Sequence, residues 1–213
     1  MVRNIPVTGF DEKAKTWDLD PVRADRARKV AEAIRAAVPL NPGMKVFEFG
    51  CGTGLLGFAL KPFVGPITLA DSSPGMIAVL KEKILAAGAA HATGMHPLLL
   101  DLSANTLPEE RFDMVCSLMV LHHVPDTGKI LRDFHSLLVS PGYVCAADLD
   151  REDGLFHGTD FDGHRGFDRE ALAEAAESAG FRNVRFKTVM EIVKGTAKGS
   201  RAFPLFLLIG EKT

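Results

Sequence analysis

A glycine-rich segment after a short apolar run carries the clearest chemical signal in the sequence. Residues 48–54 read Glu-Phe-Gly-Cys-Gly-Thr-Gly. Alternating glycines let the backbone turn tightly and approach a ligand closely. The amides then point at the ligand, with the positive end of the following helix behind them. Glu48 lies just inside the apolar strand end, where a carboxylate is unfavourable unless it is paired or hydrogen-bonded. We therefore expect a ligand with positive charge or several donors beside this loop.

Two aspartates that end the next predicted strands extend this site. Asp71 follows residues 67–70, and Asp101 follows residues 97–100. An acidic residue at the end of the second strand is placed to accept hydrogen bonds from ribose hydroxyls. Asp101 is able to accept one from an exocyclic amine, with Leu102 beside the ring. Either aspartate alone is equally well interpreted as the cap of a turn, but together with the loop they favour a nucleoside site.

A second interpretation of the same segment remains open. Gly52, Gly54 and Gly57 form a literal G-x-G-x-x-G, which with Asp71 is also typical of nicotinamide dinucleotide sites. That fingerprint starts directly after its strand, whereas Gly50 already occupies this position here. No second domain for a hydride acceptor is evident either. A nicotinamide-dependent oxidoreductase is therefore the weaker alternative.

Two histidines after the fourth predicted strand are candidates for proton transfer. His122 and His123 follow residues 112–118, and histidine has the ordinary pKa that best suits a base at neutral pH. Asp148, at the end of the fifth predicted strand, is predicted to be a base or a substrate anchor, and Asp150 has the same two interpretations. All four side chains also have a structural interpretation as caps of turns or of the following helix.

A segment rich in aspartate and histidine follows the fifth strand. Residues 157–164 read His-Gly-Thr-Asp-Phe-Asp-Gly-His, a spacing that fits no standard metal motif, so we predict no metal site. We expect His157 and His164 to shape a pocket for a second substrate, within a loop over residues 150–166. A solvated loop is the next interpretation, and a metal site is the least favoured.

Strand and helix signals alternate around these residues. The predicted strands share an apolar run between turn signals and span residues 46–49, 67–70, 97–100, 112–118, 143–147, 184–189 and 204–209. Helices alternate with most of them, which predicts an α/β fold with a Rossmann-like doubly wound sheet and a ligand at the carboxyl ends of its strands. Residues 190–203, rich in Lys and Gly, are predicted to be a connecting loop, so the last two strands form an antiparallel addition.

The composition is that of an ordinary globular chain. Of 213 residues, 46% are hydrophobic and 24% charged, which excludes disorder, a collagen-like chain and a disulfide scaffold. This length predicts one domain over residues 1–213. The net charge of −2 gives no attraction to nucleic acid or anionic membranes, so we expect neither as a partner. Scattered cysteines, no signal peptide and no membrane span predict a cytoplasmic protein.

Together the motifs resemble those of the class I S-adenosylmethionine-dependent methyltransferases, especially the small single-domain members. Residues 46–54 (VFEFGCGTG) resemble their first motif, and residues 69–77 (LADSSPGMI) the segment after the second strand. Residues 98–103 (LLLDLS), 112–126 (FDMVCSLMVLHHVPD) and 137–149 (LLVSPGYVCAADL) resemble the segments around the next three strands. The resemblance covers most of the chain and implies seven strands, the last of them antiparallel.

The resemblance implies S-adenosylmethionine (SAM) as methyl donor and S-adenosylhomocysteine (SAH) as product. The expected contacts are Glu48, Gly50, Cys51, Gly52 and Gly54 with the methionine part, Asp71 with the ribose, Ser72, Met76, Asp101 and Leu102 with the adenine, and Ser117 and Leu118 with the methionyl side. In related enzymes an N-terminal segment, here residues 1–40 with Trp17, closes over both substrates.

The expected activity is in-line displacement of the SAM methyl group by a small-molecule acceptor, whose methylated atom the sequence leaves open. His122 and Asp148 are the predicted catalytic residues, and His123, His157 and His164 are predicted on the acceptor side. A SAM- or SAH-binding protein without transferase activity is the main alternative. We expect a monomer or a homodimer.

Overall fold

Strands and helices alternate as the apolar runs predict. The computed structural model describes residues 8–88, 93–102, 107–158, 161–196 and 199–213. Its strands are β1 (Val46–Phe49), β2 (Ile67–Asp71), β3 (Met95–Leu99), β4 (Phe112–Leu118), β5 (Leu138–Leu149), β6 (Arg182–Thr196) and β7 (Gly199–Lys212). Its α-helices are α1 (Thr8–Lys13), α2 (Pro21–Ala37), α3 (Leu55–Leu60), α4 (Pro74–Ala86), α5 (Thr127–Leu137) and α6 (Arg169–Ser178). In these ranges no helix is both long and apolar enough to cross a bilayer.

The seven strands form one sheet in the order β3-β2-β1-β4-β5-β7-β6. Strands β1 to β5 run parallel, and β7 is antiparallel to both of its neighbours. The predicted α/β fold, with seven strands and an antiparallel last strand, is therefore confirmed. The chain moves outward from β1 to β2 and β3 and then crosses to β4 on the other side of β1. The carboxyl ends of β1 and β4 are thus the switch point where such sheets bind ligands.

Helices cover both faces of the sheet. Buried residues of α2, α3 and α4 pack on one face, among them Val30, Leu56 and Leu80. Helices α5 and α6 cover the other face, with Phe134 and Leu172 in their core. Because both faces are covered, the central strands are apolar nearly throughout, as parallel sheets require.

Local signals set where the helices begin. Asp20 caps α2 by accepting from the Val22 amide. Ser73 caps α4 in the same way, and Asp168 caps α6. Each cap satisfies a backbone donor that the first helical turn leaves without a partner.

The prediction of a connecting loop over residues 190–203 is wrong. Strands β6 and β7 continue through this segment as an antiparallel ribbon, with Ile192 paired to Phe203 and Lys194 to Arg201. Ile192 and Phe203 are buried on one side of the ribbon. Lys194 and Arg201 lie two residues further along the ribbon on the same face, and both are exposed, so the polar composition that suggested a loop belongs to the exposed end of the ribbon. The ribbon extends beyond the carboxyl end of β5, where the last pair of β5 and β7 is Leu149 with Leu205.

Candidate functional site

A cavity of about 650 Å³ opens at the carboxyl ends of β1, β2 and β4 and beneath the N-terminal segment. Its volume is within the range of roughly 300–1,000 Å³ that holds small organic ligands. Fourteen predicted site residues line it: Trp17, Glu48, Gly50, Cys51, Gly52, Asp71, Ser72, Met76, Asp101, Leu102, Leu118, His122, His123 and His157. Residues far apart in sequence thus meet at the edge that the strand order selects.

The three glycines of the loop differ in what surrounds them. Gly50, Gly52 and Gly54 have φ angles of 65°, 55° and 81°, a region that side chains rarely adopt. A Cβ at Gly50 would lie 2.6 Å from Val120, and one at Gly54 would lie 2.6 Å from Leu80. A Cβ at Gly52 would meet nothing closer than 3.9 Å. Packing therefore excludes side chains at the outer two glycines, whereas the space beside Gly52 is open.

Asp71 holds the loop in this conformation. Its Oδ2 accepts from the Gly52 amide at 2.7 Å, and its Oδ1 accepts from the Ser73 amide at 2.8 Å. Burial raises the pKa of Asp71, and these amide hydrogen bonds act in the opposite direction. Each carboxylate oxygen has two lone pairs, so the group still has acceptor capacity for a ligand hydroxyl.

Glu48 lies buried beneath the same loop. Only 2% of the residue is exposed, and Oε2 has no hydrogen-bond partner within the described residues. Burial raises the pKa of Glu48 to about 8. A Cβ at Gly57 would lie 2.7 Å from Oε2, so the glycine provides the space for this carboxyl group. The group is largely protonated at neutral pH and would ionise most readily beside a cation.

The adenine end of the predicted site is formed by β2 and β3. Ser72, Met76, Asp101 and Leu102 all line the cavity there, and Leu102 is buried. Cys51 lines it at the loop, where burial raises the pKa of its thiol and keeps the group neutral. Ser103, part of the third predicted motif, lies outside the described residues.

The N-terminal segment covers the loop. Trp17 lies in a 3₁₀ helix over Ala14–Leu19, and its Nε1 is 3.9 Å from the position of a Cβ on Gly52. Asp11 accepts from the Gly75 amide at 2.7 Å, and Asp18 forms an ion pair of 2.6 Å with Lys83. The segment is therefore fixed to the start and the last turns of α4 while Trp17 lies over the cavity.

A hydrogen-bonded pair closes the β4 side of the cavity. His122 Nδ1 lies 2.7 Å from Asp148 Oδ1, and the backbone N–H of His122 donates to Oδ2 at 3.2 Å. This contact favours the tautomer with the proton on Nδ1, in which a neutral imidazole has its lone pair on Nε2. Nε2 has no partner in the described part of the chain.

Two further histidines pack against His122. The ring centroids of His123 and His157 lie 4.1 and 4.8 Å from that of His122. Burial, and then the adjacent His122, lowers the pKa of His123 to about 3 and that of His157 to about 4. Both rings are neutral at physiological pH. Within the described ranges, no group of three or more His, Cys, Asp or Glu is arranged to hold a metal ion.

Several predicted site residues take other positions. Gly54, Ser117, Asp148 and His164 are not among the described residues that line the cavity. Asp148 is fully buried and lies behind His122. It therefore does not line the cavity, and the structure does not bring it to the place where an acceptor would contact it, as the sequence had predicted. His164 Nε2 instead lies 3.0 Å from the Val124 carbonyl, which fixes the loop after β5.

Asp150, at the start of the predicted acceptor loop over residues 150–166, contacts a helix. Asp150 forms an ion pair with Arg169 through both oxygens, at 2.7 and 2.8 Å, and so anchors α6. Residues 159 and 160 of the predicted acceptor loop, and residues 1–7 of the predicted lid, lie outside the described residues.

Sequence reasoning missed three cavity features. Arg26 lines the cavity from α2, and Ile192 and Lys194 line it from β6. Met119 also lines it, with a φ of 58° that is unusual for a residue other than glycine. Arg26 had a readable signal, since it precedes Val30 by four residues and so interrupts the apolar stripe of its helix. The β6 residues had none, because their segment was predicted to be a loop.

Comparisons with known proteins agree with this geometry. A family model for a methyltransferase domain matches residues 22–185. The ubiquinone biosynthesis O-methyltransferase of Bradyrhizobium diazoefficiens is 31% identical over 134 residues, which cover 61% of this chain and 49% of that protein. Its counterpart in Azorhizobium caulinodans is 30% identical over 155 residues, 67% of this chain and 57% of that protein. The chain spans about half the length of these curated relatives.

A solved structure shares the fold. The SAM-dependent methyltransferase from Aquifex aeolicus aligns with a TM-score of 0.69 and 20% identity, over 95% of this chain and 98% of that one. The family model covers more than half of the sequence and includes the glycine loop, both strand-end aspartates and the two histidines after β4. The chain therefore belongs to the class I S-adenosylmethionine-dependent methyltransferase family.

Proposed function

We propose that this protein transfers a methyl group from SAM to a small-molecule acceptor within the cavity. The observation that supports this most is the placement of Gly52, Asp71 and Asp101 along one wall. Open backbone, a half-buried carboxylate and a second strand-end aspartate lie there, as contacts for the amino-acid, ribose and base parts of a nucleoside. The donor set fits SAM for that reason.

The residues at the loop suit a cationic donor. SAM, when bound, supplies a methyl group already activated on a sulfonium, so the protein's main task is positioning and the exclusion of water. Glu48 is poised to ionise beneath the loop when positive charge arrives. Trp17 covers the loop from above and limits the access of solvent. Asp71 orients the Gly52 amide and has lone pairs left for hydroxyls.

We assign the proton-accepting role to His122. Its Nδ1–H is held by Asp148, which keeps the Nε2 lone pair available for an acceptor that must lose a proton. Because Nε2 is buried, side chains beside the His122 ring have to move before an acceptor can reach it.

The relatives do not identify the acceptor of this protein, because they are longer proteins that this chain matches only in part. We place the protein in the cytoplasm on the basis of its cysteines. Cys51, Cys116 and Cys145 are all free and buried, which suits a reducing compartment.

Isothermal titration calorimetry with SAM, SAH and NAD tests donor binding. We expect SAM and SAH to bind and NAD not to bind. Binding of NAD without SAM would overturn the proposal in favour of an oxidoreductase. A screen with methyl-labelled SAM over fractionated metabolite pools then tests transfer. If SAM binds and no pool yields a labelled product, the chain is a SAM-binding protein without transferase activity.

A further inference from the structure

Met119, just after β4, has a backbone conformation that methionine rarely adopts. Its φ angle is 58°, in the left-handed region where a side chain crowds the backbone. Within the described residues, only Met119 and Asn183 combine a positive φ with a side chain. Asparagine tolerates this conformation because its short polar side chain forms local hydrogen bonds, which a methionine side chain does not offer. A methionine where glycine would be free of strain indicates that the side chain is used.

Met119 lies in the stretch of chain that connects the glycine loop to His122. Its backbone N–H donates to the Ala147 carbonyl at 2.8 Å, which places it beside the end of β5. The next residue, Val120, packs so closely on the loop that a Cβ on Gly50 would lie 2.6 Å from it. Three residues after Met119, the backbone N–H of His122 is hydrogen-bonded to the end of β5. Met119 is therefore held between the proposed donor loop and the proposed proton acceptor.

Met119 is both packed against the core and part of the cavity wall. The residue is half-buried and packs against the apolar core on the sheet face that α2, α3 and α4 cover. The same core contains Phe156 and Ile192, two buried residues that line the cavity. Met119 lines the cavity as well. An unbranched thioether side chain adapts to irregular apolar gaps, so it suits a wall that closes on an apolar part of a ligand.

We infer that Met119 selects among methyl acceptors. Its side chain forms the wall of the cavity between the glycine loop and His122 and limits the size of the acceptor beside the transferred methyl group. This inference rests on the proposed function and adds a specificity-determining residue. It explains why the position keeps a side chain that its backbone disfavours, since glycine would leave this part of the cavity wider. The acceptor then presents an apolar surface to Met119 and its reactive atom to His122.

The stability of two variants tests whether the left-handed conformation exists in solution. Met119→Ala and Met119→Gly both remove the thioether, and only glycine is free of the steric conflict at positive φ. We expect the midpoint of urea unfolding to be higher for Met119→Gly than for Met119→Ala, the reverse of their order in an ordinary strand or helix. A lower midpoint for Met119→Gly would mean that Met119 has an ordinary backbone conformation, and the inference would be wrong.

A methyl-transfer screen with the variants tests selectivity. Each protein is incubated with methyl-labelled SAM and the same fractionated metabolite pools, and labelled products are identified by mass spectrometry. We expect Met119→Ala to form the main product at least tenfold more slowly, since lost apolar contact in a pocket changes kcat/KM by roughly 10–200-fold, and to label larger acceptors as well. Met119→Leu, which keeps most of the volume, should recover most of the original activity. Equal products and rates for Met119→Ala and the unmodified protein would overturn the inference.

Met190→Ala is the matched control for this screen. Met190 is also half-buried and packs against the same apolar core, but it is outside the cavity lining among the described residues. We expect Met190→Ala to form the products of the unmodified protein at rates within twofold. If Met190→Ala changes the products in the same way as Met119→Ala, a general loosening of the core explains the effect and the inference is wrong.

Donor affinity separates this inference from its closest competitor, a contact of Met119 with the donor alone. We expect Met119→Ala to bind SAM and SAH within threefold of the unmodified protein in calorimetry. If it binds both at least tenfold more weakly and forms the same products in the same proportions, Met119 contacts the donor and the inference is wrong. If the unmodified protein binds neither SAM nor SAH, or labels no product, it is the proposed function that fails, and the inference falls with it.

Discussion

The side chain of Asp148 lies directly behind that of His122, with 2.7 Å between Oδ1 and Nδ1, and 0% and 1% of the two side chains are exposed. Asp148 Oδ1 also accepts from the Leu149 amide at 2.8 Å. The carboxylate is therefore fixed by its own strand and cannot turn towards the cavity. It acts through His122, as a residue that holds one tautomer and one ring orientation.

We expect Asp148→Asn to lower kcat by a factor of about 10² or more, since general-base assistance contributes roughly 10²–10⁴. The Asn side chain can donate to Nδ1 as well as accept from it, so it no longer fixes the proton on that nitrogen. SAH affinity is expected to stay within threefold. Turnover with the acceptor found in the methyl-transfer screen measures the first effect, and ¹⁵N chemical shifts of the His122 ring report the tautomer.

Asp150→Asn is the matched control for this prediction. Asp150 lies just past the end of the same strand, and its partner Arg169 is outside the cavity lining among the described residues. We expect its kcat to remain near that of the unmodified protein. Equal kcat values for Asp148→Asn and the unmodified protein would remove the pair from the mechanism.

A second prediction concerns donor binding at Asp71. Asp71→Ala removes the acceptor of the Gly52 amide and of the proposed ribose hydroxyls, so SAM affinity should fall by ~1–3 kcal/mol, the usual cost of unpaired polar groups. Asp113→Ala is the control, because Asp113 accepts the Lys45 amide at 2.7 Å at the opposite end of the sheet. Calorimetry that gives both variants the SAM affinity of the unmodified protein would exclude Asp71 from the site.

The sequence is sufficient for those parts of the site that depend on strand ends. Residues such as Asp71 and Asp101 follow apolar runs, and parallel strands bring their carboxyl ends to one edge whatever the details of packing. Caps such as Ser73 are predictable because they act within one turn of the chain. These features need only local pattern and topology.

The direction of a side chain and the pairing of strands across the sheet depend on residues that are far apart in the sequence. Whether Asp148 reaches the cavity or lies behind His122 depends on how β5 pairs with both β4 and β7, which no single segment specifies. The extension of β6 past Met190 depends likewise on a partner strand. Arg26 interrupts the apolar stripe of its helix, but what it faces is known only once that helix is placed over the cavity.

A third prediction follows from the buried carboxyl group of Glu48, whose pKa is raised from 4.5 to about 8. Above pH 4.5 the unfolded chain releases this proton while the folded protein retains it, so the free energy of unfolding falls as pH rises, until about pH 8 where both states are ionised. We expect Glu48→Gln to remove this loss and to be more stable than the unmodified protein at pH 8 by a few kcal/mol, taking ~1.4 kcal/mol per pKa unit.

Urea unfolding at pH 5 and at pH 8 measures this difference. Glu110→Gln is the control, because Glu110 forms only an exposed ion pair with Lys45. We expect its change in stability between the two pH values to match that of the unmodified protein. If Glu48→Gln also shows that same change, the carboxyl group of Glu48 is already ionised in the folded protein.

A last prediction uses Trp17, which is the one tryptophan of the sequence. Its ring lies between Phe10, Arg23 and the glycine loop, with Nε1 3.9 Å from the Cβ position of Gly52. Bound SAH would change the polarity around the indole, so saturating SAH should alter its emission with the dissociation constant given by calorimetry. In Asp71→Ala the same curve should move to higher SAH concentration. Unchanged emission at an SAH concentration that saturates the calorimetric signal would mean that Trp17 does not cover the donor.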